Sequence, residues 1–360
     1  MHATQSHIKQ ALLTFSIRGE KRVMPYTYAR AGVNVQRVKG IQRDTQRQLA
    51  STLNRDVILS AGHYSALVNI QGKKIAVHTD GVGTKVLVAQ QLGTYDTVGI
   101  DAIAMNVNDL ACIGAKPITV VDYLALQKPD PALIREIMKG LVKGAKKANV
   151  SIVGGETAIT PDLIKGINGN GFDLSATCVG IVEKKLITGK DIRENDVLVG
   201  MASTGLHSNG YTLARKVLLK GKNRSNKKLM KEMLKPTRIY SPAALEMAEK
   251  VRVHGFAHIT GGAFSKLTRV LPKKLGVVLD RMPTPPRLFN TIQRNAHLGK
   301  REMYRTFNMG IGFCVWVASK QVKRTLAISR KHGIPAQVIG RVIKGHRILL
   351  HDKGYVYDLT

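Results

Sequence analysis

Asp80, Gly81, Gly83 and Lys85 stand within eight residues, His78-Thr79-Asp80-Gly81-Val82-Gly83-Thr84-Lys85. Together these residue types suit a phosphate ligand. Glycines at 81 and 83 let the backbone turn tightly and approach a ligand with no Cβ in the way. Asp80 can hold a divalent cation, and Lys85 can neutralise a phosphoryl oxygen. The spacing is neither that of a P-loop nor that of a dinucleotide fingerprint. A strand-ending turn with a surface lysine has the same pattern, so the rest of the chain must decide between the two.

Three further stretches carry similar chemistry. Residues 95–114 predict a helix with Ile100, Ile103, Ala104, Val107, Leu110 and Ala111 on one face. Asp101, Asn108 and Asp109 fall on the other, within about 100° of one another. An ordinary solvated face is the alternative, but neither Lys nor Glu occurs between 97 and 114. That absence favours a set of oxygen ligands. A buried strand over 150–153 runs into Gly154-Gly155-Glu156-Thr157-Ala158, so Asp80 and Glu156 are expected to meet at one edge of a sheet. Finally, Ser203-Thr204-Gly205-Leu206-His207-Ser208-Asn209-Gly210-Tyr211 precedes a helix to about 219, whose free N–H groups suit an anion. Ser208 also reads as a plain N-cap, and His207 as a polar loop residue.

These stretches need a frame. A length of 360 residues exceeds one ordinary core and implies two domains. The expected division is an extension outside the fold over 1–23, a first domain over 24–185 and a second over 190–360. In the first, a short helix is expected near 41–53 and two strands over 65–79, joined at Gln71-Gly72. A strand over 117–126, a helix over 131–148, a loop at 168–171 and a strand over 173–182 follow. The second starts with a strand over 196–201. A helix from 241, a strand, glycine turn and helix around 258–264, and a loop at 283–286 come next. It ends with a long strand over 306–317, a helix over 320–331 and a hairpin over 337–359.

Composition narrows the partners. The 56 Lys and Arg against 24 Asp and Glu give a net charge of +32, which would suit nucleic acid. The cations are spread along the whole chain, with modest clusters at 220–231 and 320–331, and aromatic residues are only 5%. That is too few for a base-stacking platform, so nucleic acid is not the expected partner. No apolar run approaches the roughly 18 residues of a membrane span. Cys112, Cys178 and Cys314 form no CxxC pair, which fits buried thiols in a reducing, cytoplasmic compartment.

The order of the motifs resembles the phosphoribosylformylglycinamidine cyclo-ligase family. The resemblance rests on Ala31-Gly32-Val33, HTDGVGTK at 78–85, GID at 99–101, NDL at 108–110, GGETA at 154–158, GLHSNGY at 205–211, PTRIY at 236–240, HITGGAF at 258–264 and EMYRTFNMGIG at 302–312. It implies an α+β fold of two α/β domains, the first forming an intersubunit β-barrel in a homodimer. It implies ATP-dependent closure of formylglycinamidine ribonucleotide to aminoimidazole ribonucleotide in purine biosynthesis. ATP and Mg²⁺ are the implied cofactors, with K⁺ as a further candidate. Carried over residue by residue, Asp80, Asp109 and Glu156 would hold Mg²⁺, helped by Asp101 and Asn108. Gly81, Gly83, Thr84, Lys85, Gly154 and Gly155 would line ATP. Thr79, Ser208 and Asn209 would face the ribonucleotide, and His207, Lys85 and Asp109 would act in catalysis. Selenophosphate synthetase-like and thiamine-monophosphate kinase-like enzymes share weaker forms of these motifs, and a non-catalytic nucleic-acid-binding relative is the reading from another class. Ala263 where many members have glycine, no GKL after Ala125, and Ser60-Ala61-Gly62-His63-Tyr64 in place of a glycine-rich loop are departures. They resemble archaeal forms and leave loop details open.

Overall fold

The computed structural model describes residues 24–33, 35–60 and 62–360. The expected extension over 1–23 lies outside the described residues, as does Ala61. The first half comprises α1 (Val35–Leu49), β1 (Val57–Leu59), β2 (Ala66–Ile70), β3 (Lys73–Gly81), α2 (Val86–Leu92), α3 (Val98–Cys112), β4 (Lys116–Leu126), α4 (Pro131–Ala148), β5 (Ser151–Ile159) and β6 (Phe172–Ile181). Gln71 and Gly72 both take positive φ, 50° and 81°, the twist a two-residue hairpin turn requires. The strands form one open sheet in the order β1-β2-β3-β6-β4-β5. Only the β4–β5 pair is parallel.

The two faces of this sheet differ in chemistry. Ala76, Val120, Leu124, Leu174, Ala176 and Cys178 point to one side and are buried, with α3 and α4 packed on that side. The Asp130 carboxylate caps α4 by accepting from the N–H groups of Ala132 and Leu133, and Asn149 ends it in the left-handed conformation. Gly99 lets α3 and α4 touch backbone to backbone, since a Cβ there would lie 2.2 Å from the Leu141 nitrogen. The opposite face is open: Val121, Tyr123 and Val153 are 41%, 45% and 65% exposed.

The second half comprises β7 (Val197–Ala202), α5 (Tyr211–Leu218), α6 (Lys227–Met233), α7 (Ser241–Lys250), β8 (Val253–His258), β9 (Leu275–Leu279), α8 (Arg287–Ala296), α9 (Lys300–Thr306), β10 (Ile311–Val317), α10 (Val322–Lys331), β11 (Ala336–Lys344), β12 (Ile348–Asp352) and β13 (Tyr355–Asp358). Its sheet has the order β13-β12-β9-β11-β7-β10-β8, and only β9–β12 is parallel. The pairings make β7, β8, β9 and β12 run the same way. Their carboxyl ends, and the loops that follow them, therefore share one edge.

Several sequence expectations are corrected. The helix expected near 41–53 is α1, starting six residues earlier, and β1 was not anticipated. The strand expected to be buried over 150–153 and to end at GGETA is instead an edge strand that continues through it as β5. The strand expected over 306–317 is shorter. Its first residue ends α9, Met309 and Gly310 turn at φ 50° and 99°, and pairing starts at Ile311. The terminal hairpin is only β12–β13, since β11 crosses between β7 and β9. Neither sheet closes on itself, so no barrel forms among the described residues.

Candidate functional site

Helix α3 has no solvent face, because all fifteen of its residues are buried. The missing Lys and Glu follow from that burial. Its polar residues meet the second half of the chain instead of water. Asp101 Oδ1 accepts from Lys85 Nζ at 2.9 Å, from the Thr237 main-chain N–H at 2.7 Å, from the Thr237 hydroxyl at 2.6 Å and from Ser208 Oγ at 3.2 Å. Lys85 Nζ also donates to the Lys235 carbonyl at 2.8 Å. Two turns on, Asn108 Oδ1 accepts from the N–H groups of Tyr240 and Ser241, and its Nδ2 donates to the Arg238 carbonyl. The segment 236–240 is thus clasped onto α3. Lys85, Asp101 and Asn108 were expected at phosphate and metal. The structure buries all three in this clasp, because a charge here is tolerable only with its partners. Burial lowers the Lys85 pKa, and the Asp101 carboxylate opposes that shift.

Asp109 begins a second cluster on the same helix. His258 at the end of β8 approaches its Oδ1 with Nδ1 at 2.7 Å, and His78 on β3 approaches its Oδ2 with Nε2 at 3.3 Å. His78 Nδ1 contacts Asn106 Oδ1 at 3.0 Å, and Asn106 Nδ2 donates to the carbonyls of Ala102 and Asp80. Burial alone would raise the Asp109 pKa, but the His258 hydrogen bond and the charges of His78, His258 and Lys266 hold it below the usual range. Asp80 goes the other way. Burial and then the charge of Asp109 raise its pKa, against the Gly81 N–H, His78 and Lys266. Two strand ends, HTDG and HITGG, therefore meet at one pair of carboxylates with Lys266 near both.

The remaining expected residues divide. Gly83 at φ 66° and Thr84 follow β3 directly, with Thr84 Oγ1 3.2 Å from Thr212 Oγ1. Gly81 packs against the Leu174 carbonyl. Thr79 points to the open face, where it bonds the Ala176 carbonyl and Thr177. Glu156 does not meet Asp80. It shares a row with Gly81, Ser175 and Tyr123, three strand spacings or about 14 Å away, and it faces the side opposite to Asp80. Gly154 has open space around it, whereas a Cβ on Gly155 would lie 2.5 Å from Asp122 Oδ1.

His207 sits at φ 61° and is 1% exposed. Its Nε2 accepts from the Thr204 N–H at 3.2 Å, which leaves the proton on Nδ1. Burial, followed by the charges of His258, Lys85 and Arg238, lowers its pKa well below the usual histidine range, so the ring is neutral. Gly312 is needed beside it, because a Cβ there would lie 2.4 Å from His207 Cε1. Ser208 is not an N-cap; Gly210 precedes α5. Asn209 Oδ1 lies against Gly261 of HITGG. Asn308 holds this loop by accepting from Ser203 Oγ and donating to the Gly205 carbonyl. His78, Asn106, His258, Thr237, Lys266 and Asn308 were missed as site residues. Most of them stand inside the motifs, but no local spacing announces a partner some 150 residues distant.

Among the described residues, no three His, Cys, Asp or Glu side chains gather as a metal-binding group. The arrangement offers two carboxylates, a nearby lysine and glycine turns at the junction of two sheets. Two carboxylates against one lysine suit a cation, and an anionic substrate through that cation's charge.

This fold and site define a class. Residues 62–182 match the model for the N-terminal domain of AIR synthase related proteins, and residues 193–353 match the model for their C-terminal domain. A HypE–HypF complex shares the fold at TM-score 0.65 and 16% identity, covering 88% of this chain and 98% of that one. Thermotoga maritima PurL complexed with ADP shares it at TM-score 0.57 and 18% identity, over 86% of this chain and 46% of that one. The chain belongs to the phosphoribosylformylglycinamidine cyclo-ligase family: it is 44% identical to the Saccharolobus solfataricus member over 90% of this chain and 95% of that one.

Proposed function

We propose that the chain carries out ATP-dependent closure of formylglycinamidine ribonucleotide to aminoimidazole ribonucleotide, releasing ADP and phosphate, in purine biosynthesis. Family membership supplies the reaction. The observation that carries its placement is the meeting of HTDG and HITGG at Asp109. In this reaction the γ-phosphoryl of ATP passes to the formyl oxygen, the substrate's own nitrogen attacks the activated carbon, and phosphate leaves. No protein nucleophile is needed. The protein has to align two anionic substrates and neutralise charge.

Asp80 and Asp109 fit Mg²⁺. Both are hard oxygen donors, and the Asp80 pKa is raised by burial and then by the charge of Asp109, a repulsion that a cation would relieve. Mg²⁺ bound there would supply positive charge to the phosphoryl oxygens. Two carboxylates suffice, since Mg²⁺ takes its other ligands from phosphates and water. Lys266 adds charge from the second half, and Gly81, Gly83 and Thr84 form the phosphate-facing turn. Asn209 faces the ribonucleotide. His207, neutral and buried, positions the loop that carries Asn209. Lys85, Asp101 and Ser208 fix the second half against α3.

A homodimer completes the reading. The open face of the first sheet, with Val121, Tyr123 and Val153, would be covered by the same face of a second copy, joining the sheets into a barrel. Thr79, Gly154, Gly155 and Glu156 lie on or beside that face and enter the site through the dimer. The three cysteines are buried thiols, which supports the cytoplasm as the compartment, and no described helix is long and apolar enough to cross a membrane.

Phosphate release from ATP tests the reading, measured with formylglycinamidine ribonucleotide, thiamine phosphate and selenide in turn, and with K⁺ exchanged for Na⁺. Turnover with either of the last two substrates and none with the first would overturn it. Sedimentation of Tyr123→Arg with Val153→Asp tests the dimer; a variant sedimenting like the wild type would remove that face from the interface.

A further inference from the structure

The second sheet carries a pocket that ring closure leaves unused. β9 and β12 are parallel neighbours, and a crevice outside the carboxyl ends of such strands is where α/β sheets hold ligands. A cavity of about 440 Å³ lies there, within the range of small-molecule sites. It is four strand spacings, about 19 Å, from His258 on β8. It is therefore separate from the Asp80–Asp109 centre.

The lining selects the ligand. Met282, Met309 and Leu350 give an apolar floor suited to the face of a heterocycle. Asp280 and Asp352, paired with Arg341 and Lys300, keep lone pairs for N–H donors on its edge. Lys353 stands exposed at the rim, on the β12–β13 turn, with no carboxylate partner among the described residues. A plain hydrocarbon would leave the acids unused, and a bare anion would leave the floor unused. Heterocycle, N–H donors and a phosphate together describe a nucleoside monophosphate.

Residues 308–310 stand between the pocket and the loop that bears His207 and Asn209. Met309 lines the pocket, and the next residue, Gly310, packs so closely on Pro286 that a Cβ would lie 2.9 Å from its Cδ. The Gly310 carbonyl accepts from the Ser203 N–H at 2.8 Å, and Asn308 holds Ser203 and Gly205. We infer that this pocket binds a nucleoside monophosphate. The binding does not rest on the proposed function.

Calorimetry on the full chain tests the binding, with a saturating non-hydrolysable ATP analogue filling the catalytic nucleotide site. AMP, adenosine and inorganic phosphate are titrated in turn. AMP is expected to bind once per chain, adenosine at least tenfold more weakly, and phosphate without measurable heat. Met282→Trp, which fills the cavity, and Lys353→Glu, which inverts the rim charge, should each weaken AMP at least tenfold with ATP-analogue affinity and melting temperature unchanged. No AMP heat, equal affinity for adenosine, or AMP binding indifferent to both variants overturns the proposal. AMP binding in a protein that fails the ring-closure assay would sink the proposed function and leave the pocket standing.

Discussion

Asp101 and Thr237, 136 residues apart, are joined twice at one oxygen, by the Thr237 N–H at 2.7 Å and by its hydroxyl at 2.6 Å. Lys85 completes the knot as a fully buried ion-pair partner of the same carboxylate, at 2.8 Å. The two halves of the chain are held together by charge in a place where water cannot replace it.

Removing one member of this knot should therefore cost more than removing an ordinary hydrogen bond. Asp101→Ala strands the Lys85 ammonium in the interior and is expected to lower stability by about 3–5 kcal/mol. Thr237→Val leaves the charges paired and should lower it by about 1–3 kcal/mol. Urea unfolding compares them, and equal losses, or none for Asp101→Ala, would show that the clasp does not hold the halves together.

Asp80 predicts a trade of stability against function. Its pKa is raised in the folded protein, so the native state holds that proton more tightly than the unfolded chain. Stability then falls as pH rises from the ordinary carboxylate range through the raised pKa. Asp80→Asn should be more stable than the wild type at neutral pH, with the difference shrinking in acid. It should also lose turnover by orders of magnitude, and Mg²⁺-ATP should raise the wild-type Tm and not the variant's. A variant less stable at neutral pH would contradict the sign.

Gly154 and Gly155 are neighbours with opposite surroundings. Ala at 154 enters open space, whereas Ala at 155 would lie 2.6 Å from the Asp122 carbonyl as well as against its carboxylate. Gly155→Ala should lower stability by about 1–3 kcal/mol, as overpacking does, and Gly154→Ala by much less. Thermal melts of both decide; the reverse order would mean that β4 and β5 are not in this register.

What could be read from the sequence was what local pattern controls. The Gln71-Gly72 turn and the spans of α3 and α4 followed from turn chemistry and periodicity, because each depends on residues within a few positions. The role of the α3 polar face did not. Asp101, Asn108 and Asp109 stand as oxygen ligands would, and only the fold shows that two of them serve backbone groups of 237–241. Likewise the glycines of GGETA looked like a strand ending, yet an edge strand with one open face tolerates them. Glu156 was paired with Asp80 by analogy of motif, but strand order places β6 and β4 between them.

Asp109 is where the proposed chemistry is most exposed to test. Its two oxygens are approached by His258 and His78, and its charge lies beside Asp80. Asp109→Asn retains an acceptor for His258, so the junction of β8 with α3 should persist and the melting temperature should change little. The negative charge that would hold Mg²⁺ is lost. Electrostatic stabilisation of the transferring phosphoryl should fall with it, lowering kcat by about 10²-fold or more. The Mg²⁺ concentration needed for half-maximal rate should rise at the same time. His258→Gln serves as the contrast, because it disturbs the junction but keeps the carboxylate, and should lower stability more than it shifts the Mg²⁺ requirement. Should Asp109→Asn turn over at the wild-type rate with an unchanged Mg²⁺ requirement, Asp109 would be a bridge between two histidines and no part of the metal site.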